Sequence, residues 1–114
     1  MKNRKEMVSE YKERTIVGGI YAIRNNLNNK TLLLSATDLH GCKNRFEFCQ
    51  KLNNCTYIKL QQDWQKHGNS IFAFEILDQL EKKENQTEKQ FKEEIKILYE
   101  IWKEKYEKMQ IQLY

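Results

Sequence analysis

Val17-Gly18-Gly19-Ile20-Tyr21-Ala22-Ile23-Arg24, then Asn25-Asn26-Leu27-Asn28-Asn29, then Lys30-Thr31-Leu32-Leu33-Leu34-Ser35, is the stretch that decides the fold. In an extended chain side chains alternate between faces. Val17, Gly19, Tyr21 and Ile23 therefore share one face, and Gly18, Ile20, Ala22 and Arg24 the other. Asparagine tolerates left-handed backbone angles, so the Asn-rich pentapeptide reads as a hairpin turn. Residues 30–35 return as a second strand. The apolar residues of that strand are consecutive, which predicts cover on both faces and a central position in the sheet.

Working outward, Thr37 or Asp38 is a natural N-cap for a helix carrying Cys42, Phe46 and Cys49 on one stripe. Leu52-Asn53-Asn54 ends that helix. A further helix is expected over residues 56–66, with Tyr57, Leu60, Gln61 and Trp64 inward and Gly68 as its stop. Residues 71–77 read as a third strand with Phe72, Phe74 and Ile76 on one side. Thr87, with Gln90 three residues on, starts a last helix. Its core stripe is Phe91, Ile95, Leu98, Trp102 and Tyr106, and its opposite face is a solvated, salt-bridged mixture of Lys and Glu. Residues 4–13 read as a short polar helix with Met7 and Tyr11 on a narrow apolar edge. The predicted fold is α/β, a small three-stranded antiparallel sheet flanked by helices. Residues 1–14 form the polar N-terminal helix and residues 15–114 a single domain.

Composition sets the outer bounds. The 114 residues suffice for one core. The net charge is +4, and none of it comes from residues 81–114, which hold eight basic and eight acidic side chains. That excess permits an anionic partner without demanding one. The longest apolar run, Leu32-Leu33-Leu34, is far short of a membrane span. The basic start leads into no apolar segment of the kind that directs export, and Cys42, Cys49 and Cys55 are odd in number. Both features predict reduced thiols in the cytoplasm. The thiols, together with His40, lack usual zinc spacing, so buried apolar roles are expected for them.

Gly19-Ile20-Tyr21, the Asn25-x-x-Asn28-Asn29-Lys30 turn and Leu32-Leu33-Leu34-Ser35-Ala36-x-Asp38-Leu39 together resemble the GIY-YIG nuclease family. Lys59-Leu60-Gln61-x-Asp63-Trp64-x-Lys66-His67-Gly68-Asn69 and Phe72-x-Phe74-Glu75-Ile76-Leu77 extend the resemblance over roughly residues 17–106, closest to the phage homing-endonuclease branch. The resemblance implies phosphodiester hydrolysis. One tyrosine of GIY positions or deprotonates the attacking water, and the tyrosine of YIG assists it. A helix arginine stabilises the transition-state charge, and a glutamate of the last helix holds a divalent metal, Mg²⁺ or Mn²⁺.

Carried over residue by residue, the resemblance is incomplete. Tyr21 matches the first tyrosine. The second triplet falls on Leu32-Leu33-Leu34, so Leu32 stands in place of a phenol and Leu34 in place of glycine. The arginine falls on Cys42, with Arg45 one turn further along. A polar histidine of some members falls on Cys55. The metal-binding glutamate falls on Tyr99 if Trp102 is the aromatic that follows it. Glu100 is adjacent but about 100° around the helix.

Tyr21 reads equally as a packed core tyrosine and as a retained site residue. Arg24, Lys30, Lys59 and Lys66 are the candidates for tracking a nucleic-acid backbone. His67 reads as a helix-end residue, and Glu75 as an exposed strand position. The leading expectation is a nucleic-acid-interacting domain, with DNA as the first partner to test, whose catalytic centre is largely eroded. One alternative is an active, divergent, metal-dependent endonuclease using Tyr21, Arg45 and Glu100 or Glu94. The other is a non-enzymatic protein-interaction module.

Overall fold

A computed structural model describes residues 16–114. The expected helix over residues 4–13 lies outside the described residues. Three strands are present: β1 (Val17–Asn25), β2 (Thr31–Ala36) and β3 (Phe72–Glu81). They form one antiparallel sheet in the order β2-β1-β3. The helices are α1 (Leu39–Leu52), α2 (Gln61–His67) and α3 (Glu88–Lys108), with single 3₁₀ turns before and after α2. This is the expected three-stranded antiparallel sheet with flanking helices.

The alternation read from the sequence sorts the core into two layers. Tyr21, Ile23 and Leu32 pack with Phe46 and Cys49 of α1 and with Leu60 and Trp64 around α2. Ile20 and Leu33, on the opposite face, pack with Phe91, Ile95 and Tyr106 of α3. The consecutive leucines of β2 do face covered layers, yet the strand is at the edge and β1 is central. Its outer edge is bridged at Thr31 by the C-terminal residues. Thr31 N–H donates to Gln112 O at 2.9 Å, and Tyr114 N–H donates to Thr31 O at 2.9 Å. An occupied edge removes the free amides that make edge strands prone to pairing with other chains.

The asparagines act as expected. Asn25 Oδ1 accepts from Leu27 N–H at 2.9 Å, Asn28 Oδ1 from Lys30 N–H at 2.9 Å, and Asn29 takes a left-handed φ of 62°. Asp38 caps α1, its Oδ1 accepting from Gly41 N–H at 3.1 Å. Thr87 and Gln90 form a reciprocal capping box on α3. Gln61, expected inward, is exposed, because the turn Ile58–Leu60 is 3₁₀ and rotates the faces before α2 begins.

β3 runs further than expected because it is bulged. Tyr21 pairs with Ile76 but Ile20 pairs with Asp78, leaving Leu77 as the extra residue. Beyond the bulge the parity switches. Leu77 and Leu80 pack on the α3 side, Ile76 is 41% exposed, and Trp102 Nε1–H donates to Asp78 Oδ2 at 3.0 Å.

Tyr114 couples the chain end to both layers. Its hydroxyl donates to Asp63 Oδ2 at 2.5 Å and accepts from Asn25 Nδ2 at 3.0 Å. Asn25 is 1% exposed, so its amide depends on such partners. Tyr114→Phe is expected to cost about 1.5–3 kcal/mol, the range for a hydrogen bond to a charged group. Urea unfolding with an unchanged m-value checks it. Burial and the adjacent Asp63 push the Tyr114 pKa from 10.0 up to about 12. A group that binds its proton more tightly when folded stabilises fully below its unfolded pKa. That contribution is therefore complete below pH 10 and fades as pH rises through about 12, and Tyr114→Phe should flatten this alkaline limb.

Candidate functional site

A cleft of about 560 Å³ opens where the end of β2 meets the start of α1 and the middle of α3. Tyr21 reaches its floor from β1. Cys42 and Arg45 enter from α1, and Lys92, Lys96 and Tyr99 from α3. The chain delivers these groups by simple periodicity. Cys42 and Arg45 are three apart, Lys92 and Lys96 four apart, and Tyr99 three beyond Lys96, so each helix offers one edge to the cleft. Ile95, between the two lysines, turns into the core.

Tyr21 is packed as a core tyrosine and also lines the cleft. Its ring stacks on Phe74 at 4.9 Å between centroids, and the residue is 5% exposed. Burial first, then the neighbouring Tyr57 and Cys42, push its pKa far above the ordinary tyrosine value. At neutral pH the phenol is protonated. It can donate a hydrogen bond to an anion or hold a water, but it is not a phenolate base. Burial likewise raises Tyr57, against a lowering by Tyr21 and Arg45.

The sequence positions singled out above divide cleanly. Tyr21, Cys42, Arg45 and Tyr99 come together in the cleft. Leu32 is 6% exposed and packs in the α1 layer, with Leu34 against the same cluster. Cys55 is half-buried, its thiol donating to Tyr57 O at 3.2 Å, and burial pushes that thiol up. Glu94 lies in a different hollow with Lys83 and Gln86, and Glu100 is exposed outside the cleft. Neither Glu94 nor Glu100 joins Tyr21 and Arg45 in the cleft.

The nucleic-acid candidates lie elsewhere. Arg24 forms an ion pair with Glu75, which is accordingly half-buried and not the exposed position expected. Lys30 Nζ sits 4.6 Å over the Tyr114 ring. Lys59 and Lys66 are exposed. Among the described residues Arg24, Lys30, Lys59 and Lys66 do not line the cleft.

Two cleft residues, and Tyr57 beside Tyr21, escaped sequence reasoning. Lys92 and Lys96 read as part of a salt-bridged outer face, whereas among the described residues α3 forms only the Glu104–Lys108 ion pair. The available signal was their four-residue spacing one turn before Tyr99, on the flank of the Phe91–Ile95 stripe. Tyr57 read as a core aromatic. Its signal was a phenol two residues after Cys55.

A divalent metal does not fit the residues present. The cleft holds one carboxylate, Asp38, whose Oδ1 caps α1, against three cationic side chains. Hard cations need several oxygen ligands, and nearby positive charge opposes them. Among the described residues no three His, Cys, Asp or Glu side chains are grouped as metal ligands. What the cleft can do is receive an anion.

No protein-family model matches the chain. Over 64 residues, 54% of its length, it is 42% identical to intron-associated endonuclease 1 of enterobacteria phage T4, of which that stretch is 25%. The fold superposes on the catalytic domain of the homing endonuclease I-TevI with a TM-score of 0.58 and 27% identity, over 83% of this chain and 94% of that domain. A mutant of the same I-TevI domain gives a TM-score of 0.59 and 28% identity, over 85% and 91%. The chain is homologous to the I-TevI catalytic domain. It therefore has a GIY-YIG-like fold. The curated relative is about four times longer than the matched stretch, so the activity of that whole protein does not pass to this chain by homology. No helix among the described residues is long and apolar enough to cross a membrane.

Proposed function

We propose that this chain is a GIY-YIG-like domain that binds nucleic acid and has weak or no phosphodiester cleavage. One observation carries the reading: the Tyr21 cleft combines three cationic side chains with no free carboxylate. A phosphate diester is complementary to such a cleft, whereas a hydrated divalent cation is not. Two further positions point the same way. Cys42 and Tyr99 stand in the cleft where the family resemblance puts the arginine and the metal-binding glutamate. Losing one charge-stabilising group typically costs about two to three orders of magnitude in rate. DNA is the first partner to test, because the relatives are endonucleases.

The active-enzyme reading keeps one specific support, that Tyr21, Tyr57 and Arg45 are neighbours. The test separates the two. The purified chain is incubated with plasmid and single-stranded DNA in Mg²⁺ and in Mn²⁺, and binding is measured across a salt series. Salt-dependent binding with no cleavage above background is expected. Robust cleavage lost in Tyr21→Phe would overturn the inactivity, and no binding at low ionic strength would overturn the nucleic-acid reading.

A further inference from the structure

We propose that Lys92 and Lys96 of α3, with Arg45 of α1, clamp one backbone phosphate of a nucleic acid over Tyr21, and that this contact needs no divalent ion. The inference rests on the nucleic-acid reading above and assigns the residues and the ion requirement, which that reading leaves open.

The cations come from two different helices, Arg45 from α1 and Lys92 and Lys96 from α3, and line one cleft. Lys92 and Lys96 occupy successive turns of the same helix edge, so their side-chain roots lie about 5–6 Å apart. Among the described residues neither lysine nor Arg45 forms an ion pair. All three are exposed and keep their charge for a ligand. Arg45 adds a planar fork that can grip two phosphate oxygens, while the lysines act as point charges. The floor completes the site, since the protonated Tyr21 hydroxyl is a hydrogen-bond donor beside the Cys42 thiol. Glu88 and Glu93 share the outer flank of the lysines, away from Tyr21, and restrain them without entering the cleft.

The expected behaviour follows from charge. Each cation that neutralises a phosphate releases counterions, so the slope of log affinity against log salt falls by nearly one unit per contact removed. The experiment measures fluorescence anisotropy of labelled single-stranded and duplex DNA in EDTA and in Mg²⁺. It uses the wild-type chain, Lys92→Glu/Lys96→Glu, and the control Lys51→Glu/Lys103→Glu, which makes the same charge change outside the cleft. Circular dichroism melts confirm that each variant folds, and Lys92→Gln/Lys96→Gln replaces the charge reversal if it does not.

Wild-type DNA binding should persist in EDTA, and Mg²⁺ should only weaken it, as a competing counterion. The cleft variant should bind at least about tenfold more weakly, with a salt slope shallower by about two. The control should stay within about threefold, the general effect of net charge. Equal weakening by both charge reversals, or binding that requires Mg²⁺, overturns the clamp while leaving nucleic-acid binding intact. Absence of any DNA binding overturns the reading beneath it. Titration with inorganic phosphate, followed by amide shifts in α1 and α3, separates sources. Saturation by phosphate without DNA binding would make the site one for a small phosphorylated ligand and overturn the backbone assignment.

Discussion

Gly19→Ala is expected to lower the melting temperature of the protein by about 15–30 °C. A Cβ at this position would lie 2.1 Å from Asp78 O and 3.0 Å from Gln79 Cα, both backbone atoms of β3. Gly19 also has a φ of +148°, outside the range that L side chains adopt readily. The conformational penalty is about 1–2 kcal/mol. Displacing a strand already fixed on both faces adds about 1–3 kcal/mol or more. A small domain has a total stability near the lower end of about 5–15 kcal/mol, and a loss of about 4 kcal/mol lowers Tm by about 15–30 °C. Gly68→Ala is the comparator. Its φ is +87°, but nothing lies within 4 Å of the added Cβ, so only the conformational cost of about 1–2 kcal/mol applies. Thermal melts of the two variants should differ widely, and similar small losses would refute the clash. The result bears on the site. Gly19 permits the bulge at Ile76–Asp78, and the bulge sets the register that stacks Tyr21 on Phe74 under the cleft. The glycine of the Gly19-Ile20-Tyr21 triplet is thus a structural requirement, two residues from the tyrosine that lines the cleft.

Most of the fold was legible because local rules and global packing agree here. The alternation of Gly18 to Arg24 sorts the two core layers. The asparagines name the turn, and Asp38, Gly68 and Thr87 mark helix ends by the physics of unpaired backbone groups. Three features were not legible. A bulge adds one residue to a strand without changing its composition, so Ile76 reads as a core position and is 41% exposed. The edge position of β2 is hidden because the C-terminal residues bridge it at Thr31 from far along the sequence. The ion pair of Arg24 with Glu75 depends on cross-strand register, which sequence alone leaves free.

For the site, the resemblance pointed to Tyr21, Cys42, Arg45 and Tyr99, which line one cleft, and to Leu32, Cys55 and Glu100, which do not. It could not point to Lys92, Lys96 and Tyr57, which stand at positions that the motif does not specify. Their effect is visible only when α3 and the turn before α2 are laid against β1. The cleft carries three cationic side chains and the Asp38 carboxylate, which on the proposed reading suits an anionic ligand and opposes a metal.

The proposed inactivity should be reversible by a defined set of changes. Cys42→Arg and Tyr99→Glu together place an arginine and a carboxylate at two positions that already face the cleft. The pair alone is expected to stay near background, because Lys96 is one turn before the new carboxylate and would hold it as an i, i+3 ion pair. Adding Lys96→Ala frees the carboxylate for a divalent ion. Restoring two charge-stabilising groups, each worth about two to three orders of magnitude, should raise plasmid nicking in Mg²⁺ at least about a thousandfold over the wild-type chain, or about 4 kcal/mol of barrier. Leu32 can be left in place. It is buried in the α1 layer, and Tyr57 already brings a second phenol to Tyr21. The gain should vanish in EDTA and when Tyr21→Phe is added, which ties it to this cleft and not to a contaminating nuclease. A folded triple variant that nicks no faster than wild type would show that the missing arginine and carboxylate are not what limits the site.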